Sequence, residues 1–171
     1  MTRKDTETSA LENAKVDHTT QGFLYRGVSL DMHEFSKGVL APKVTGSFEY
    51  AFEWGEPGIA WGGGATWGTS STNAVVRHQL NQEGYPTSGI STTPQFERAA
   101  FYARLGGARE VGIVYKLDCR ALNAGGVRIL RVADFVKIPS VPADDEYVLV
   151  PPDGASIPPN AICEVVRVGT A

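Results

Sequence analysis

Three short stretches of the chain carry residue types able to do chemistry: Tyr25-Arg26-Gly27, Ser91-Thr92-Thr93 and Asp144-Asp145-Glu146. An arginine fork makes paired, charge-assisted hydrogen bonds to phosphate or carboxylate oxygens, and lysine is a poor substitute there. A glycine beside it allows close approach of a ligand or of another backbone. Small hydroxyls orient a neighbouring group or cap a helix. A fixed carboxylate stabilises developing positive charge or takes a proton. Each stretch taken singly also has an ordinary reading: a surface arginine, a helix cap, a solvated acidic turn. Their order along the chain, and the elements that hold them, carry the argument further.

The first stretch sits in FLYRGVSL at 23–30, an aromatic and β-branched run bounded by Gly22 and Asp31, which predicts a strand. A helical turn over Met32–Lys37, capped by Asp31, should follow. The second stretch closes a short strand over Gly89–Thr93. Thr93 and Pro94 then open a helix over Gln95–Arg104, whose Phe96, Ala99, Ala100 and Ala103 recur at helical spacing and which Gly106 and Gly107 stop. The third stretch leads into a strand at Tyr147–Val150. Further strands are expected over Glu110–Asp118, within Val127–Ile138 and over Ile162–Val168. Between the first two stretches, Gly55–Thr72 is rich in Gly, Ser and Thr and contains Trp61 and Trp67. It reads as a long loop serving substrate recognition or acting as a lid. Asn73 caps a helix over Ala74–Gln82 with Val75, Val76 and Leu80 on its apolar side. Residues 1–21 read as a flexible arm with a short helix at Ala10–Lys15, and 22–171 as one domain. Strands dominate the second half, so the fold class is α+β: two packed, mostly antiparallel sheets with peripheral helices.

Composition narrows the function classes. The 171 residues are 42% hydrophobic and 20% charged, a globular balance, and the 19 glycines and 10 prolines favour turns and short strands over a helical bundle. The net charge of −3 lacks the basic footprint of a nucleic-acid binder, which weakens a polynucleotide target. Cys119 and Cys163 lie in apolar, strand-like runs and read as buried free thiols rather than a disulfide. His18, His33 and His78 are scattered and have no Glu or Cys at ligand spacing, so no metal site is expected. The polar N-terminal stretch lacks the apolar core of a signal peptide, and no run reaches the roughly 18 apolar residues of a membrane span. A soluble module is expected, one suited to a target-cell cytoplasm, and a toxin delivered by a larger machine would have the same composition.

Taken in order, LYRG at 24–27, GISTTP at 89–94, AAFYA at 99–103, VYKLDCR at 114–120, DDEYVLVPP at 144–152 and SIPPNAI at 156–162 resemble the ADP-ribosyltransferase fold. The likeness is to its arginine–serine–glutamate toxin class, which includes cholera-like and pierisin-like mono-ADP-ribosyltransferases, and it runs from about Phe23 to Val168. It implies an NAD cleft between two sheets, with Tyr25, Arg26, Gly27, Ser91, Thr92, Thr93 and Phe101 contacting NAD. Arg26 would grip the phosphates, Ser91 would hold the Glu146 carboxylate, and Glu146 would favour the oxocarbenium-like ribose formed as nicotinamide leaves. Thr92 and Thr93 would shape the strand-to-helix turn. Asp144 stands where the family often has Glu or Gln, two residues before the catalytic glutamate, at a position that helps select or activate the acceptor. In an extended approach to the strand its side chain would share a side with Glu146. Aspartate is one methylene shorter, so an arginine target is not implied. Nicotinamide also needs an aromatic or apolar wall, for which Phe96, Phe101, Tyr102, Trp61 and Trp67 are candidates; ordinary core packing competes at Phe96 and Phe101.

The resemblance thus implies an NAD-consuming transferase that uses no metal, releases nicotinamide and passes ADP-ribose to a macromolecule, a protein favoured over nucleic acid. As a toxin or effector module it would also meet a delivery or immunity partner. Competing readings are an NAD glycohydrolase of the same fold, a polynucleotide-modifying member, a non-catalytic binding module, and an unrelated β-rich binding protein. Free nicotinamide on incubation with NAD alone separates the enzymes from the binding modules.

Overall fold

The computed structural model describes residues 22–43, 50–51, 66–67, 75, 89–135, 137–152 and 155–169. Strand β1 (Phe23–Ser29) leads directly into helix α1 (Leu30–Ser36). The cap is Ser29, whose Oγ accepts from the Met32 amide at 3.3 Å. The helix therefore begins before Asp31, which lies in its first turn where a carboxylate suits the helix dipole. Lys37 ends it in the left-handed region. Two-residue strands β2 (Tyr50–Ala51) and β3 (Thr66–Trp67) form an antiparallel ladder. Part of the stretch expected to be loop is thus paired, although its composition gives no strand period. Trp61 and the rest of that stretch lie outside the described residues, as does the N-terminal arm. Of the helix expected over 74–82, Val75 alone is described, and it is helical and fully buried.

Strand β4 (Ile90–Thr92) is followed by helix α2 (Phe96–Ala103), strand β5 (Val111–Asp118) and helix α3 (Cys119–Ala124). Strands β6 (Arg128–Arg131), β7 (Tyr147–Val150) and β8 (Ile162–Gly169) complete the order. Helix α3 follows β5 without a gap and takes in Cys119, which the sequence placed in a strand-like run. Asp118 Oδ1 accepts from the Arg120 and Ala121 amides at 2.7 and 3.0 Å, a side-chain cap that turns the chain out of β5. Cys119 is buried at this junction, whereas Cys163 on β8 is exposed, a correction to the expectation that both thiols are inside; both are free.

Two three-stranded antiparallel sheets result, ordered β1-β5-β8 and β4-β7-β6. Strand period explains what lies between and outside them. Leu24 and Val28 of β1 and Ile113, Tyr115 and Leu117 of β5 join Ile90, Ile129, Tyr147 and Leu149 of the second sheet in one core. The alternate residues face outward: Val148 and Val150 pack with Leu130, Val132 and Val75. Strand β7 is therefore buried at every position, as the uniformly apolar YVLV requires.

Helix α2 covers the outer face of the first sheet through Ala99, Ala100 and Ala103 against Val114, with Tyr25 and Phe96 at the margin. Its small face and two strand glycines set the distance. A Cβ on Gly27 would sit 1.9 Å from the Ala99 carbonyl oxygen, and one on Gly112 would sit 2.3 Å from that of Ala103. Gly27 thus lets a helix backbone approach the sheet, a physical reason different from the ligand contact expected of it. Among the described residues no helix is long and apolar enough to cross a membrane.

Candidate active site

Among the described residues, one isolated bridge joins the backbones of the two sheets. Tyr25 and Thr93 exchange amide-to-carbonyl hydrogen bonds of 2.7 and 3.0 Å, an isolated bridge between β1 and the end of β4. Arg26 follows Tyr25 and, by strand alternation, shares the inter-sheet side with Leu24 and Val28. Its guanidinium is half-buried, and Nη1 donates to the Ser91 carbonyl at 2.9 Å. Burial lowers the Arg26 pKa, and the charge of Glu146 opposes that shift. Guanidinium remains charged throughout the accessible pH range, so the site holds a partly desolvated cation beside a carboxylate.

Three consecutive hydroxyls of the second stretch reach the third. Ser91 Oγ donates to Glu146 Oε1. Thr92 Oγ1 donates to the Tyr147 carbonyl at 2.8 Å, and Thr93 Oγ1 to the Asp144 carbonyl at 2.6 Å. Thr93 Oγ1 also accepts from the Gln95 amide at 3.1 Å, and Gln95 Nε2 donates to the Ala143 carbonyl at 3.0 Å. Antiparallel register brings the two stretches side by side, because β4 pairs with β7 so that Ser91 stands opposite Val148 and Thr92 opposite Tyr147. Thr92 and Thr93 are buried and their hydroxyls hold backbone. They shape the turn in front of β7 as well as the one in front of α2.

The approach to Glu146 is not extended. Pro142–Asp144 forms a 3-10 turn, and Asp145 adopts the left-handed region at φ 43°, ψ 55°. The alternation that would set Asp144 and Glu146 on one side therefore does not operate. The Asp144 carboxylate is buried and turns to α2. Its Oδ1 accepts from Arg98 Nε at 2.6 Å and lies 2.5 Å from Arg98 Nη2, while its Oδ2 accepts from the Tyr102 hydroxyl. Burial first, and Asp144 second, push the Tyr102 phenol upward, so it stays a donor. Arg98 is not singled out by sequence reasoning and Tyr102 is there only as a candidate nicotinamide wall, although their spacing of one helical turn puts them on one face.

Tyr25 packs edge-on against Phe96, with ring centroids 5.6 Å apart, at the sheet junction. Phe101 lies elsewhere, on the exposed side of α2, where its ring meets Arg98 at 5.2 Å, Tyr102 at 5.5 Å and the backbone turn at Gly106. The structure thus brings Tyr25, Arg26, Ser91, Thr92, Thr93 and Glu146 together, joins Asp144 to them through backbone, and leaves Phe101 on another surface.

The family model described as NarE matches residues 23–148, a span that runs from β1 through Glu146 into β7. The chain belongs to the NarE family. This family is ADP-ribosyltransferase-like, in agreement with the fold and with the ordered stretches that suggested it. No curated protein matches the chain. Membership of the NarE family makes an ADP-ribosyltransferase-like enzyme the coarse description of this protein.

Proposed function

We propose that the protein is a mono-ADP-ribosyltransferase that takes ADP-ribose from NAD and passes it to a macromolecular acceptor, with protein favoured over nucleic acid. The observation that carries this reading is the Ser91–Glu146 hydrogen bond beside the half-buried Arg26, where the two sheets meet. The residues fit NAD chemically. Among the described residues Arg26 has one hydrogen bond, to Ser91, and the remainder of its fork suits a phosphate oxygen. Ser91 fixes one oxygen of Glu146, so the carboxylate need not reorganise as positive charge develops on the ribose.

In the proposed reaction the bond between ribose C1′ and nicotinamide breaks, and nicotinamide leaves with the bonding pair. The acceptor forms the new bond to C1′ and gives up a proton. Glu146 offsets the charge of the intermediate ribose. Asp144, whose carboxylate is turned to Arg98 and Tyr102 rather than towards Glu146, is assigned to acceptor orientation through that cluster on α2.

Incubation with labelled NAD and a cell lysate tests this reading. Nicotinamide release together with protease-sensitive, nuclease-resistant label supports it. Nuclease-sensitive label moves the acceptor to a polynucleotide, nicotinamide without labelled polymer makes the protein a glycohydrolase, and no nicotinamide removes the enzyme reading. Asp144→Ala should depress transfer well beyond hydrolysis; parallel loss of both would reassign it to the fold of the turn.

A further inference from the structure

We propose that Arg131 is a positioning residue for Glu146, acting through Asp145. This rests on the assignment of Glu146 as the carboxylate beside the reacting ribose. The last residue of β6 and its successor hold two consecutive residues of the acidic turn. Arg131 Nε donates to Asp145 Oδ1 at 2.8 Å, and the Val132 amide donates to the Glu146 carbonyl at 2.9 Å. In the ladder Arg131 stands opposite Tyr147, so the end of β6 is in register with the start of β7.

What these two bonds secure is a backbone conformation. Asp145 turns the chain from the 3-10 turn into β7 within one residue, with its own amide on the Pro142 carbonyl at 3.3 Å. Among the described residues only Lys37, Leu105 and Asp145 are non-glycine residues at positive φ. Lys37 and Leu105 follow α-helices, where a left-handed residue is an ordinary stop. Asp145 instead immediately precedes the residue whose carboxylate meets Ser91. An aspartate visits this region more readily than most residues, yet it prefers the right-handed or extended regions. Either alternative would rotate the Cα–Cβ bond of Glu146 and carry its carboxylate off Ser91.

The Arg131–Asp145 pair is part-exposed, with side chains 42% and 32% accessible, so it adds little to global stability. Its effect is on where Glu146 points. That separates positioning from a merely structural role, which would appear in the melting temperature.

Four proteins test this: wild type, Arg131→Ala, Asp145→Gly and the double variant, assayed for NAD hydrolysis and thermal unfolding. Arg131→Ala should lower kcat about tenfold, with KM for NAD changed less than about twofold and Tm almost unmoved, as expected for a small misplacement of a reacting group. Glycine takes φ near 43° freely, so adding Asp145→Gly should recover most of the kcat lost in Arg131→Ala. Wild-type kcat in Arg131→Ala, or a double variant no better than Arg131→Ala, would overturn the inference. A crystal structure of Arg131→Ala gives a readout independent of turnover: the Glu146 carboxylate should have left Ser91 Oγ. Finding it still on Ser91 would overturn the inference even if wild type released no nicotinamide, an outcome that would defeat the parent reading by itself.

Discussion

Ser91 Oγ donates to Glu146 Oε1 across the β4–β7 pairing, so a residue at one sheet junction fixes the direction of a carboxylate more than fifty positions later. Removing the hydroxyl leaves the backbone pairing intact and frees the carboxylate to rotate. Ser91→Ala should remain folded and lose about tenfold in NAD turnover, a milder effect than removing the carboxylate's charge. Steady-state nicotinamide release with a matched unfolding curve measures both.

Arg26 is tied to the other side of the same junction by its bond to the Ser91 carbonyl. Arg26→Lys preserves the charge and removes the fork. NAD affinity should weaken about tenfold while the circular dichroism spectrum stays that of the parent. Calorimetric titration gives the affinity directly, and an unchanged value would return Arg26 to a structural role.

The approach of α2 to the first sheet depends on Gly27. A methyl group there meets the Ala99 carbonyl oxygen at 1.9 Å, a backbone atom that cannot swing away. Gly27→Ala should therefore destabilise the protein by about 2 kcal/mol or more and lower Tm by roughly 5 °C or more. A scanning calorimetry trace indistinguishable from wild type would contradict the packing described.

The two thiols should react in separate steps. Cys119 is fully buried, and burial first, with the charges of Asp118 and Cys163 adding to it, pushes its thiol up to about 11. Cys163 is exposed. At about pH 8 an aromatic disulfide reagent should modify one thiol per native chain quickly and the second only after unfolding. Two fast equivalents would show that Cys119 is accessible.

Much of this was legible in the sequence because the signals were local. The aromatic and β-branched run of FLYRGVSL and the apolar YVLV each mark a strand, and both strands lie where expected. The alanines of α2 mark its buried face. The α+β class with antiparallel sheets follows from such elements, and Arg26, Ser91 and Glu146 were visible as residue types in ordered strands. What could not be read depends on pairing between distant segments. The left-handed Asp145 breaks the alternation that would have aimed Asp144 beside Glu146, and it does so where Arg131, from another strand, holds it. Arg98 and Tyr102 become partners of Asp144 only once α2 lies against the acidic turn. The Ser29 and Asp118 caps, by contrast, were local signals outweighed by Asp31 in one case and by the apolar run of β5 in the other.

The measurement that bears most directly on the central claim is NAD turnover by Glu146→Gln. Glutamine keeps the shape of the side chain and can still accept from Ser91 Oγ, but it carries no charge to offset a ribose oxocarbenium. With folding verified and NAD binding retained, nicotinamide release and ADP-ribose transfer should both fall by at least about a hundredfold. A folded Glu146→Gln protein that releases nicotinamide at close to the wild-type rate would contradict the assignment of this carboxylate, and with it the reading of the sheet junction as the reaction centre.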